Sequence, residues 1–185
     1  MARLVLTVAA ALALAAQPVV AGTGLEIVAS GPRQQHRIGA YFVAREPGLS
    51  YPAAVRTFGP PSARVAGGSG SCVARWPRLG LEMTFSSTTP APCSPSGLSR
   101  SVWFGAIASG DRWRTDRGLA IGDSLATLRR LYPQAYLRTE PSRLPAWILV
   151  WIRGEVGRTV YLQAAVRSGR VAAFELPPGY LSAAH

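Results

Sequence analysis

The segment GLAIGDSLATLRRLYPQ, residues 118–134, constrains this chain more than any other. Leu125, Leu128, Leu131 and Tyr132 recur at helical spacing, and Pro133 closes the run. Asp123 or Ser124 can accept a hydrogen bond from a free N–H of the first turn, and Asp123 suits the positive helix end. A helix this short does not hold alone in water, where roughly 12–15 residues are needed. Its leucine face must therefore dock on another element. Residues 146–152, 159–166 and 170–176 supply one. They read as strands, the last two joined by Ser168-Gly169 as a two-residue hairpin turn.

The same order occurs earlier. Ser50 before Tyr51-Pro52 opens a helix carrying Val55 and Phe58 on one face, and Gly59-Pro60-Pro61 stops it. Residues 72–76, 81–85 and 102–108 read as strands, with short ones at 25–28 and 38–43. Residues 66–71 and 86–97 read as loops, and 110–118 as a polar turn around Trp113. An offset of about 73 residues sets Arg56-Thr57-Phe58-Gly59-Pro60 beside Arg129-Arg130-Leu131-Tyr132-Pro133 and residues 72–76 beside 145–149. The expectation is an α+β fold with short helices packed on one face of an antiparallel β-meander sheet, in two tandem halves, 22–109 and 110–185.

Residues 1–21 read as a secretory signal peptide: a basic start at Arg3, then an apolar run from Leu4 to Ala16 that is too short to span a bilayer. The expected location is secreted or extracytoplasmic. There Cys72 and Cys93, the chain's two cysteines, are expected to form a disulfide. His36 and His185 lie far from them in sequence, so no metal site is expected.

The net charge is +11, and all 20 basic residues are arginine. They are scattered rather than gathered in blocks, and Arg without Lys, beside abundant Ala, Gly and Pro, is what GC-rich (actinobacterial-type) codon supply produces. This argues against nucleic acid and leaves a protein or an anionic envelope component as the expected partner. The chain shows no nucleophile with a base. His36 reads as an exposed loop histidine, and Gly122-Asp123-Ser124 is not followed by the glycine of a nucleophile elbow. Asp111, Asp116 and Asp123 sit among arginines, as surface ion pairs do. The chain is read as a non-enzyme with no cofactor. A charge-driven binder of anionic envelope polymer, and a hydrolase using Ser124 or the aspartates, are the alternatives.

Gly122-Asp123-Ser124 followed by leucines, a proline stop and a β-meander resembles the opening of the BamE-like (SmpA/OmlA) small outer-membrane-assembly lipoproteins. Two tandem copies of that layout are similar to the secreted β-lactamase inhibitory proteins. The resemblance implies that Gly122 is a turn glycine and Ser124 a cap. It also implies a helical layer over one sheet face and a partner protein on the other.

Strand periodicity nominates that second face. Ile148, Val150 and Ile152 alternate with Trp147, Leu149 and Trp151. Across the Ser168-Gly169 turn, Val166 is set opposite Val171 and Ala164 opposite Ala173. Arg167 with Arg170, Gln163 with Phe174, and Tyr161 with Leu176 fall on the other side. The expectation is an aliphatic side under the helices. Trp147, Trp151, Tyr161, Gln163, Phe174, Arg167, Arg170 and Trp103 would form an exposed binding side, because Trp, Tyr and Arg dominate protein interfaces.

Overall fold

A computed structural model describes residues 25–30, 35–43, 50–68, 70–139, 145–154 and 157–177. The expected signal peptide and His185 lie outside them. The elements run β1 (Leu25–Val28), β2 (Arg37–Ile38), β3 (Tyr41–Phe42), α1 (Tyr51–Phe58), β4 (Ala63–Ala66), β5 (Ser71–Trp76), β6 (Leu81–Ser86), α2 (Pro95–Ser99), β7 (Val102–Ala108), β8 (Trp113–Thr115), α3 (Leu125–Leu131), β9 (Tyr136–Arg138), β10 (Ala146–Gly154), β11 (Gly157–Arg167) and β12 (Arg170–Leu176). The fold is α+β.

The large sheet has eight strands in the order β4-β5-β6-β7-β12-β11-β10-β9, antiparallel at every pairing. It is two four-stranded meanders meeting at β7 and β12. One follows α1 and the other follows α3. A second sheet, β3-β2-β1-β8, joins the N-terminal segment to the middle of the chain, with β1 and β8 parallel. The reading of 110–118 as a polar turn is corrected here: Trp113 is fully buried in β8, its indole N–H donating to Leu79 O at 2.6 Å. The loop at 86–97 likewise ends in α2, whose Leu98 is buried.

Both short helices are held as their sequences require. Ser50 Oγ accepts from Ala53 N at 3.4 Å and Ser124 Oγ from Thr127 N at 3.1 Å, so each hydroxyl satisfies an orphan donor of the first turn. Asp123 accepts from Ala120 N at 2.9 Å rather than capping, and Gly122 takes φ of +92°. The start of α3 then pairs with the β11–β12 hairpin. Gly122 N donates to Val171 O and Val171 N to Asp123 O, both at 2.8 Å, and Leu125 N donates to Gly169 O at 3.0 Å. Leu128 and Tyr132 are fully buried. This docking is what stabilises a helix of seven residues. Ser124→Ala should lower stability by about 1 kcal/mol, read as a shift in the urea midpoint with an unchanged m-value; no shift would show that the hairpin pairing alone fixes the turn.

Cys72 and Cys93 form a disulfide, Cα–Cα 5.1 Å, tying β5 to the segment before α2. Closing a loop of that length contributes roughly 3 kcal/mol in the chain-entropy model.

The core lies between the large sheet, the helices and the small sheet. Tyr51 meets Phe85 edge-on at 5.4 Å, and Phe58 lies 5.9 Å from Trp76 and 6.3 Å from Tyr41. Helix α1 thus bridges the two sheets.

Candidate functional site

Cross-strand partners share a sheet face, so the register sorts the large sheet into two rows. Trp76, Leu81, Ala108, Phe174, Ala164 and Trp147 form one row, and all are buried in the core. The adjacent row, on the opposite face, is Arg75, Glu82, Ile107, Glu175, Gln163, Ile148 and Tyr136. The helices therefore cover the side that carries Trp76, Trp103 and Trp147, which reverses the expectation. Trp103 and Phe174 are fully buried, Tyr161 packs edge-on against buried His36 at 5.1 Å, and Trp147 lies under the Arg129 guanidinium at 5.0 Å. Trp151 is half-buried against Tyr136. His36 is likewise a core histidine and not an exposed loop residue.

For Phe174 the physical cause is a register slip. The β11–β12 register slips between Ala165 and Val166, so Phe174 pairs with Ala164 rather than Gln163. One residue of slip turns every following side chain to the other face. With it, Phe174 enters the core, a gain of about 1.5–3 kcal/mol for a side chain of that size. Glu175 leaves the core and meets Gln163, which avoids an unpaired buried carboxylate. In β10 Trp147 pairs with core-side Ala164 and Leu149 follows it by ordinary alternation, and the bulge around Leu149 then turns Val150 toward the core as well.

The open face is the candidate site. Arg138 donates to Gln163 Oε1 at 2.9 Å, and Gln163 Nε2 donates to Glu175 at 2.5 Å. The triad crosses three strands, and its central amide is only 6% exposed. Arg75 and Glu82 form a second pair at 3.4 Å. Beside these polar groups Phe104 and Ile107 stand 41% and 44% exposed. Phe104 reaches this face because β7 carries an extra residue opposite Thr84 and Phe85. Two concavities lie along the face. One, of about 550 Å³, is lined by Phe104, Ile107, Arg138, Gln163 and Glu175, and the other, of about 490 Å³, by Ile107, Ala165, Arg167, Ala173 and Glu175. They share Ile107 and Glu175 and form one surface.

Of the residues nominated from sequence, Gln163 and Arg167 lie on this surface. Arg170 is exposed, but its guanidinium donates to Gly122 O at 2.9 Å and so braces the α3 turn. Phe104, Ile107, Glu82, Arg138 and Glu175 are not among the nominated residues. Among the described residues no group of three or more His, Cys, Asp or Glu could hold a metal, and no helix is long and apolar enough to cross a membrane.

Fold and site together define an α+β protein with one helix-covered sheet face and one open face of mixed apolar and paired polar character. No family model matches the chain, and no curated protein matches it. Among solved structures it is similar to an extracellular protein containing a SCP domain from Bacillus anthracis str. Ames, with TM-score 0.42 and 11% identity, over 72% of this chain and 44% of that one. The chain thus spans less than half the length of that protein, and a likeness of this degree carries no argument about function.

Proposed function

We propose that the chain is an extracytoplasmic, non-enzymatic binding module whose contact surface for a partner protein is the open face of the eight-stranded sheet. The observation that carries this is the grouping of Phe104 and Ile107, each more than a third exposed, beside the tied Arg138–Gln163–Glu175 triad. Half-exposed apolar side chains set among pre-paired polar groups lose little entropy on burial and leave few polar atoms unsatisfied. The disulfide supports an oxidising compartment. The resemblance to tandem BamE-like inhibitory proteins is supported by the order helix-then-four-strands occurring twice, α1 with β4–β7 and α3 with β9–β12.

The rival readings have less behind them. The hydroxyl of Ser124 and the carboxylate of Asp123 are taken up by the α3 turn. Two of the open face's cations are matched locally, Arg75 by Glu82 and Arg138 by Gln163.

The test is a paired Phe104→Arg, Ile107→Arg variant compared with wild type in capture from the producing cell's culture fluid and envelope. The expected result is loss of the specific partner, identified by mass spectrometry, with the melting temperature within a few degrees of wild type. Equal capture by both proteins would remove the open face from consideration. A wild-type dimer that the variant dissolves would reassign the face to self-association.

A further inference from the structure

A second surface lies where the large sheet ends, on the side that the helices cover. Strand β4 is the edge of the large sheet, and all four of its residues are exposed. Gly67 N donates to Ser71 O at 2.8 Å, and Val65 pairs with Val73 two residues earlier. By the alternation of an antiparallel ladder, the N–H and C=O groups of Arg64 and Ala66 then point away from β5. A row of outward backbone groups is a template for another strand.

Next to this edge, α1 and α2 enclose a cleft of about 390 Å³ lined by Tyr51, Pro52, Val55, Leu98, Arg56 and Arg64, among others. That volume is at the lower end of ligand pockets, about 300–1,000 Å³. Its lining is mainly apolar, with Arg56, Arg64 and Ser99 as the polar members. Arg64 pairs with Ala74, a core-side residue, so the Arg64 side chain is on the helix side of the sheet, where the cleft opens. Both Arg56 and Arg64 are exposed, and neither forms an ion pair with a described residue.

We propose that the β4 edge and the α1–α2 cleft together bind an extended segment of a partner protein that adds a strand to β4. It would place one apolar side chain in the cleft and carboxylates two residues away on the same side, against Arg56 and Arg64. The spacing follows from the strand period of two. Main-chain bonds to Arg64 and Ala66 give affinity, and the cleft gives selectivity. Charge excludes a second copy as the occupant. The chain carries +11, and two β4 edges pairing across a two-fold axis would bring Arg56 and Arg64 of both copies together. This surface is separate from the open face and does not depend on it.

The test uses the full chain and a labelled, end-blocked heptapeptide, Ser-Glu-Thr-Leu-Thr-Glu-Ser, followed by fluorescence anisotropy. The expected result is saturable binding, at least tenfold tighter than for the peptides with Lys in place of Glu or Ser in place of Leu. The R56E/R64E double variant should invert the Glu-over-Lys preference. Ala66→Pro removes an outward N–H, a change an edge strand tolerates, and should weaken binding at least tenfold without moving the melting temperature. If that variant proves unstable, the inversion decides. The Phe104→Arg, Ile107→Arg protein should bind the peptide as wild type does, so either surface can fail without the other. The proposal is overturned by no binding at millimolar peptide, by equal binding of the Glu and Lys peptides, by indifference to the leucine, or by a concentration-dependent dimer that buries β4.

Discussion

Trp103→Ala is expected to lower stability by about 3–5 kcal/mol, the range for removing a buried large aromatic side chain. That is a large share of the ~5–15 kcal/mol that holds a domain folded. Trp103 is fully buried and pairs across the sheet with Phe85, which in turn meets Tyr51 of α1. The cavity would open where β6, β7 and the first helix converge. Its chain neighbour makes the sharper comparison. Phe104 is 41% exposed on the opposite face, and Phe104→Ala should cost less than about 1 kcal/mol, as surface substitutions do. Chemical denaturation of the two variants measures both. A small loss at Trp103 would mean that the indole is not in the core and that the faces are the other way round.

The same two residues show what can be read from the sequence. Strands 102–108 and 170–176 are legible because apolar residues recur with turn signals at their ends. The Ser168-Gly169 hairpin is legible because Gly169 accepts the positive φ of 72° that a two-residue turn asks for, although Ser168 must adopt 49° beside it. The helices are legible from their caps and proline stops. Which face of the sheet they cover is not. That depends on the pairing of Trp147 with Ala164 and on slips of one residue at Ala165–Val166 and at Phe104, and strict alternation within a strand carries no signal for either. The carboxylate of Glu175 holds the missing clue. Alternation places it on the aliphatic side, and a charge on the core side of a strand signals that the alternation has been shifted. Strands β4, β8 and β9, of three or four residues each, are too short for any periodicity to appear. Without β4, the edge and the cleft beside it have no sequence signature.

Raising the pH should destabilise the protein through Tyr132. Burial pushes this phenol up to about 12, with the Asp116 carboxylate adding to the rise and Thr115 and the Arg117 guanidinium opposing it. The guanidinium lies over the ring at 5.0 Å, yet no hydrogen bond of good geometry reaches the buried phenol oxygen from a described residue. The ionised form thus loses water and gains too little from its neighbours to replace it. In the unfolded chain the phenol titrates near its ordinary value of about 10. Between roughly pH 10 and 12 the unfolded state therefore holds fewer protons than the native state, and stability falls as pH rises. The stabilisation is complete below pH 10 and lost progressively up to about pH 12. Two pH units correspond to about 3 kcal/mol at ~1.4 kcal/mol each. Tyr132→Phe isolates the contribution. Removing a buried hydroxyl that lacks a well-formed hydrogen bond should leave stability near neutral pH unchanged or slightly higher, while the loss between pH 10 and 12 shrinks by that amount. Parallel denaturation curves for the two proteins across this window would show that Tyr132 meets solvent as it ionises, and that α3 does not seal the sheet at that end.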